Sequence, residues 1–178
     1  MAHGCRPDLL AVMLLAGAVT LPVPVLEATP DAPGRPRLAR LVAPGEGVEL
    51  TYRHSMFDVP VRERFEVDAR LRLVLEEIRS TRLDIVGYYD IPGAAVQAAD
   101  GDVRLVRLGL AHERLRIRAT AIGNRSLVVD GCTVPLRALA GEGGALTLEV
   151  RWRPAAVALL RPAVGRPGNK EAPCPSPA

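Results

Sequence analysis

Between Val48 and Asp68 the sequence VELTYRHSMFDVPVRERFEVD alternates polar and apolar side chains through two runs, broken only at Ser55 to Asp58. Side chains on a strand point alternately to opposite faces, so Val48, Leu50, Tyr52 and His54 share one face of the first run. Val59, Val61, Glu63, Phe65 and Val67 share one face of the second. A chain patterned in this way must pair the two runs as a hairpin and bury one side of it. His54 and Glu63 then point where hydrophobes point, and a carboxylate there needs a donor, because an isolated charge in an apolar setting is expensive enough to neutralise.

The pairing register has two readings. With Ser55 to Asp58 as a four-residue turn, His54 faces Val59, Tyr52 faces Val61 and Leu50 faces Glu63, which puts Glu63 diagonal to Tyr52 at about 7–8 Å along the backbone. A longer loop reaching Arg62 instead sets His54 opposite Glu63, and Pro60, which cannot donate to a central ladder, keeps this version open. Candidate donors to Glu63 are Tyr52, His54 and Arg53.

The rest of the chain continues the strand pattern from Leu38–Val42 onward. Arg70–Ile78 places Leu71, Leu73 and Leu75 on one face, Val103–Leu108 and Leu115–Ala119 follow, and Leu146, Leu148, Val150 and Trp152 alternate near the end. Asp130-Gly131 between Leu127–Val129 and Cys132–Val134 is the signature of a tight hairpin turn. About eight strands with no clear helix predict an all-β domain over residues 38–153, an antiparallel sandwich or partly closed barrel. Only six aromatic residues are present, so Leu, Val, Ile and Ala must build the core.

Before that domain, one arginine in residues 1–8 precedes an apolar run, Leu9 to Leu26, that is free of charge. This order reads as an export signal or membrane anchor over residues 1–28, with a proline-containing linker at 29–37. The expected location is therefore outside the cytoplasm, free in the periplasm or tethered to the membrane. Residues 154–178 are proline-rich and read as a disordered tail. The three cysteines, Cys5, Cys132 and Cys174, show no metal-ligand spacing, and a Cys132–Cys174 bridge is left open.

Composition and motifs exclude some functions. Arginine outnumbers lysine twenty-two to one at a net charge of +3, yet no aromatic-interleaved basic patch accompanies it, so nucleic acid is not an expected partner. A nucleophilic Ser55 is disfavoured because adjacent strand residues face opposite sides, which separates it from His54. No spacing gathers His54, Glu63, Asp58, Asp90 or His112 as a metal site, so no metal, cofactor or catalytic residue is assigned. What remains is a polar cluster of Tyr52, Arg53, His54, Ser55 and Glu63, either structural or ligand-binding. A second candidate is the glycine-bounded loop carrying Tyr88, Tyr89 and Asp90, since exposed loop aromatics often make contacts. The arginines at 114, 116 and 118 read as a solvated stripe paired across strands, or as a receptor for an anion.

Tyr52-Arg53-His54-Ser55, followed by Val59-Pro60-Val61, Glu63, Phe65 and Val67, resembles the signature of the bacterial domain of unknown function 1850 family, whose members share a His-Ser, then a Pro-Val and a Glu. The likeness runs more weakly from Leu38 to Arg153 and departs at Gly87-Tyr88-Tyr89-Asp90-Ile91-Pro92-Gly93, where the family tends to be rich in Gly and Ala. Members are often encoded beside TRAP-type transporters of the TAXI class. The resemblance therefore implies a non-catalytic, exported or membrane-attached accessory protein that works with a membrane transporter or its solute. It names no catalytic residue. Two other readings stand beside it: a small-ligand or metal-binding, enzyme-like site around His54 and Glu63, and a purely structural envelope β-domain.

Overall fold

In the computed structural model, which describes residues 20–92, 94–99 and 101–155, two antiparallel sheets face each other as an open sandwich. The strands are β1 (Pro22–Pro30), β2 (Leu38–Leu41), β3 (Gly47–His54), β4 (Val59–Val67), β5 (Leu73–Ser80), β6 (Ala95–Ala99), β7 (Asp102–His112), β8 (Leu115–Arg118), β9 (Ser126–Val129), β10 (Cys132–Pro135) and β11 (Ala145–Pro154). One sheet has the order β2-β1-β11-β8, the other β10-β9-β3-β4-β5-β7-β6. It is a sandwich, not a closed barrel.

The β3–β4 hairpin takes the shorter-turn register, with His54 opposite Val59, Tyr52 opposite Val61 and Leu50 opposite Glu63. Asp58 closes the turn at φ 51°, its N–H donating to the His54 carbonyl at 2.8 Å. Pro60 is accommodated because of where its missing N–H would point. Its partner Arg53 gives its own N–H to the Gly123 carbonyl at 2.8 Å, away from β4, so the Arg53/Pro60 pair exchanges no backbone bonds. The side of Pro60 that lacks a donor then faces β5, whose pairing with β4 begins only at Ser80 opposite Val61. There the Ser80 hydroxyl donates to the Pro60 carbonyl at 3.0 Å.

The core is aliphatic, as the composition required, with Phe65 the large ring inside it. Leu26, Leu146 and Leu148 from one sheet meet Leu73, Ile78, Leu105 and Leu127 from the other. A β-bulge between Leu75 and Glu77 shifts the phase of β5, so Leu73 and Leu75 point inward and Ile78, rather than residue 77, continues the buried face. Asp130-Gly131 forms the expected tight turn, both residues at positive φ (51° and 70°).

Several expectations need correction. Leu71 is not a strand residue; it sits at φ 61° in a turn where the Asp68 carboxylate accepts the N–H groups of Arg70 (2.9 Å) and Arg72 (2.8 Å). Between β1 and β11 the described residues include two short helices, α1 (Asp84–Tyr89) and α2 (Leu136–Ala140), and Tyr88 and Tyr89 belong to α1 rather than to a loop. Trp152 lies past the end of the core and is 59% exposed. The largest correction is β1: residues 22–30, assigned above to the end of a leader and the start of a linker, form an interior strand between β2 and β11. Val25, Leu26 and Ala28 are fully buried, and the nearly buried Glu27 receives Arg153 through two bonds of 3.0 and 2.9 Å. Prolines at 22, 24 and 30 fit because they fall at or near the strand's ends. Residues 1–19 and 156–178, the greater part of the expected export signal and tail, lie outside the described residues. Cys132 is a half-cystine whose partner also lies outside them.

The position of β1 makes a sharp prediction about truncation. Burying Val25 and Leu26 contributes roughly 1.5–3 kcal/mol each, and the two ladders add to this, against a total stability of about 5–15 kcal/mol for a domain. A chain starting at Thr20 is expected to melt cooperatively, and one starting at Thr29 to lack cooperative unfolding by circular dichroism. An unchanged melting midpoint for the shorter chain would show that β1 is dispensable.

Candidate functional site

The cluster predicted from β3 and β4 forms at the end of the sandwich opposite the one where β1 begins and β11 ends. Three elements build it. β3 supplies Tyr52 and His54, β4 supplies Glu63 from its inward face, and α1 brings Tyr88 and Tyr89 over the hairpin. Ile85, 1% exposed, is the apolar anchor that seats α1 on the core. The helix has six residues, so packing rather than intrinsic propensity holds it in place.

Glu63 is half-buried and its donors are phenols. Tyr52 Oη donates to Glu63 Oε1 at 2.6 Å, Tyr89 Oη donates to the same oxygen at 3.1 Å, and the two hydroxyls also touch each other. Of the donors considered from sequence, Tyr52 is the one used. Arg53 turns outward to Asp58, donating from Nε at 2.8 Å, and His54 accepts at Nδ1 from the Met56 N–H at 3.3 Å. That bond places the imidazole proton of neutral His54 on Nε2. The His54 ring is buried between Phe57, 5.0 Å away, and the edge of Tyr88, 4.4 Å away. Ser55, exposed in the turn, lines the cleft together with Arg53 and His54, whereas Asp90, exposed just after α1, lies outside the cleft lining.

Burial, and then the adjoining Glu63 carboxylate, push the Tyr52 phenol far above its ordinary range. The same two causes, in the same order, raise Tyr89. Both rings therefore stay protonated, and both hydroxyls stay donors, throughout the physiological range.

Around this cluster lies a solvent-open cleft of about 350 Å³, with Tyr52, Glu63 and Tyr89 at its floor and Tyr88, 53% exposed, on its wall. Thr120, Gly123 and Arg125 complete it from the turn between β8 and β9. A second cleft of about 300 Å³ joins it at Tyr52, Glu63 and Arg125 and extends along β8 past Leu115 and Ile117. Arg125 carried no signal in the sequence; its guanidinium lies over the Tyr52 ring at 5.0 Å and donates from Nη1 to the Arg118 carbonyl at 2.7 Å. Of the arginine stripe, Arg114 pairs with Glu149 at 3.1 Å and Arg116 with Asp31 at 2.6 Å, while Arg118 has no carboxylate partner among the described residues. A larger depression of about 490 Å³ lies on the opposite face of the hairpin, but its charges answer one another, Arg79 with Asp102 and Arg62 with Glu49. The inner cleft combines a Glu63 oxygen without a hydrogen bond from the described residues with the exposed Tyr88 ring. Among the described residues no three His, Cys, Asp or Glu side chains are grouped to hold a metal ion.

The phenol–carboxylate contact predicts a signature at alkaline pH. Folded phenols with raised pKa hold their protons while those of the unfolded chain ionise near pH 10, so the stability they contribute is complete below about pH 10 and falls as pH rises above it. Tyr52→Phe is expected to cost about 1–3 kcal/mol near neutrality, the range for a hydrogen bond to a charged group. The same variant should flatten the alkaline decline by up to about 1.4 kcal/mol per pH unit, as read from urea unfolding between about pH 9 and 11. A variant as stable as the parent, with an unaltered alkaline limb, would contradict the assignment.

The residues of the cleft fall inside one contiguous match. A family model described as Domain of unknown function (DUF1850) matches residues 48–136, half of the chain, from the first residues of β3 to the start of α2. The match includes the hairpin, α1 and the turn carrying Arg125, and excludes β1, β2 and β11. No curated protein and no solved structure matches the chain. With the family's span coinciding with the elements that build the cleft, the chain belongs to the family of the domain of unknown function DUF1850.

Proposed function

We propose that this protein is a non-catalytic, exported accessory protein whose cleft receives a small solute, and that it works beside a TRAP-type transporter of the TAXI class. The observation that carries the solute-binding part is the floor of the cleft. Glu63 is fixed by two phenols on one oxygen, while the exposed Tyr88 ring and the half-buried Arg125 stand open to whatever enters. Concave sites that combine aromatic walls with a few fixed polar groups are the usual form of small-molecule sites. The non-catalytic part rests on how the reactive types are spent: the Nδ1 of His54 is occupied by a backbone N–H, and Ser55, though it lines the cleft, is exposed in the turn and makes no hydrogen bond to His54. Export rests on the charge-then-apolar order of residues 1–21, which precede β1, and the transporter on the family resemblance.

Two measurements test this reading. Residues 1–36 fused to a reporter active only outside the cytoplasm should give signal; a silent fusion ends the export claim. Tagged protein co-expressed with a TRAP-type transporter of the TAXI class from the same genome should retain the transporter subunits through purification, and Tyr88→Ala should weaken that association about tenfold if the cleft mouth is the contact, a loss of about 1.4 kcal/mol. Absence of the transporter from the purified wild-type protein would favour a purely structural role.

A further inference from the structure

Two opposite charges meet the same ring in this cleft without meeting each other. Glu63 is half-buried, and both of its hydrogen bonds, from Tyr52 and Tyr89, fall on Oε1, so Oε2 receives no hydrogen bond from any described residue. Arg125 is also half-buried, and its one side-chain hydrogen bond among the described residues uses Nη1 on a backbone carbonyl, which leaves the remaining guanidinium N–H groups without an acceptor among them. Both lie against Tyr52, Glu63 at the hydroxyl and Arg125 over the ring, and no ion pair joins them. Elsewhere in this protein exposed arginines close on carboxylates readily, as Arg53 does on Asp58 and Arg114 on Glu149. Glu63 and Arg125 stay apart although both are half-buried, where an ion pair is screened less than between fully exposed side chains. The Arg118 carbonyl and the Tyr52 face hold the guanidinium back, and the two phenols hold the carboxylate in place.

From this separation we infer that the cleft binds a small zwitterion of the α-amino-acid type, with its ammonium on Glu63 Oε2 and its carboxylate on Arg125. The inference rests on the reading of the cleft as a solute site and adds the chemical class of the solute. An ammonium supplies the donor that Oε2 lacks, and a carboxylate matches the planar N–H fork of arginine. The rings of Tyr88 and Tyr89, T-shaped to each other at 5.6 Å, flank the space left for a side chain. A single-charge ligand would satisfy one group and leave the other desolvated and unpaired, a penalty that gives such sites their discrimination.

The test is calorimetric titration of the full chain with the standard L-amino acids, each beside its decarboxylated amine and its deaminated acid. The expected result is that at least one amino acid binds and that removing either charge from it weakens binding tenfold or more. Glu63→Gln should erase the preference for the amino acid over the deaminated acid, and Arg125→Gln the preference over the amine. Because the ligand analogues vary the charges on wild-type protein, the comparison does not depend on either variant folding. An amine or a deaminated acid that binds as tightly as its parent amino acid overturns the zwitterion inference and leaves the solute site standing. If no compound of the three classes binds, the inference and the solute-site reading fall together.

Discussion

A carboxylate on the inward face of a β-sandwich organises one end of this molecule. Glu63 stands between Val61 and Phe65 on a strand whose other inward residues are core, and it is kept there by two phenols instead of a cation. Neutral donors satisfy the charge without adding a second desolvated ion, which avoids the large penalty of a fully buried ion pair. They also tie three elements together. Tyr52 binds the carboxylate across the β3–β4 hairpin, and Tyr89 draws the far end of α1, whose other anchor is the buried Ile85, down onto it, so the placement of Tyr88 and the shape of the cleft depend on this contact and that anchor together.

The mismatch between the sheets explains why an opening exists at this place. Seven strands face four, and the four-stranded sheet ends at β8, a strand of four residues. Beyond that edge the inner face of β4 and β5 has no strand above it. The chain crosses from β7 in one sheet to β8 in the other and returns through the turn at residues 119–125, which carries Arg125 back toward Tyr52. The uncovered strip is filled by Ile85 of α1 on the core side and left open beside Glu63, where polar groups can meet solvent.

Much of this was readable in the residues. The alternation around Tyr52 and Glu63 specified both strands; of the two registers left open, the one with Ser55 to Asp58 as the turn is observed, and of the three candidate donors the diagonal Tyr52 is the one that reaches Glu63. Asp130-Gly131 announced its hairpin because only certain residues tolerate positive φ in succession. What escaped was long-range or ambiguous by its physics. β1 was hidden because an apolar, proline-bearing run after a basic residue satisfies the rules for a leader, and only its pairing with β2 and β11 distinguishes it. α1 is too short and too glycine-broken to show a helical period, and its anchor, Ile85, becomes apolar packing only when the sheet is present. Glu63 was expected to be buried and bound to a nearby polar residue; the second phenol comes from 26 positions away in sequence, which no local pattern encodes. Arg125 gave no sign at all, since one arginine among twenty-two is distinguished only by the ring it lies on.

The central claim, that Tyr89 is held by Glu63 and that this contact seats α1, is tested most directly by a double-mutant cycle on folding stability. Tyr89→Phe removes the hydroxyl and Glu63→Ala removes its acceptor, and each is measured alone and together by urea unfolding. The predicted result is a coupling energy of about 0.5–3 kcal/mol, with the effect of Tyr89→Phe nearly absent once Glu63 is gone. Additive effects, agreeing within about 0.3–0.5 kcal/mol, would contradict it, since the two side chains would then contribute to stability independently.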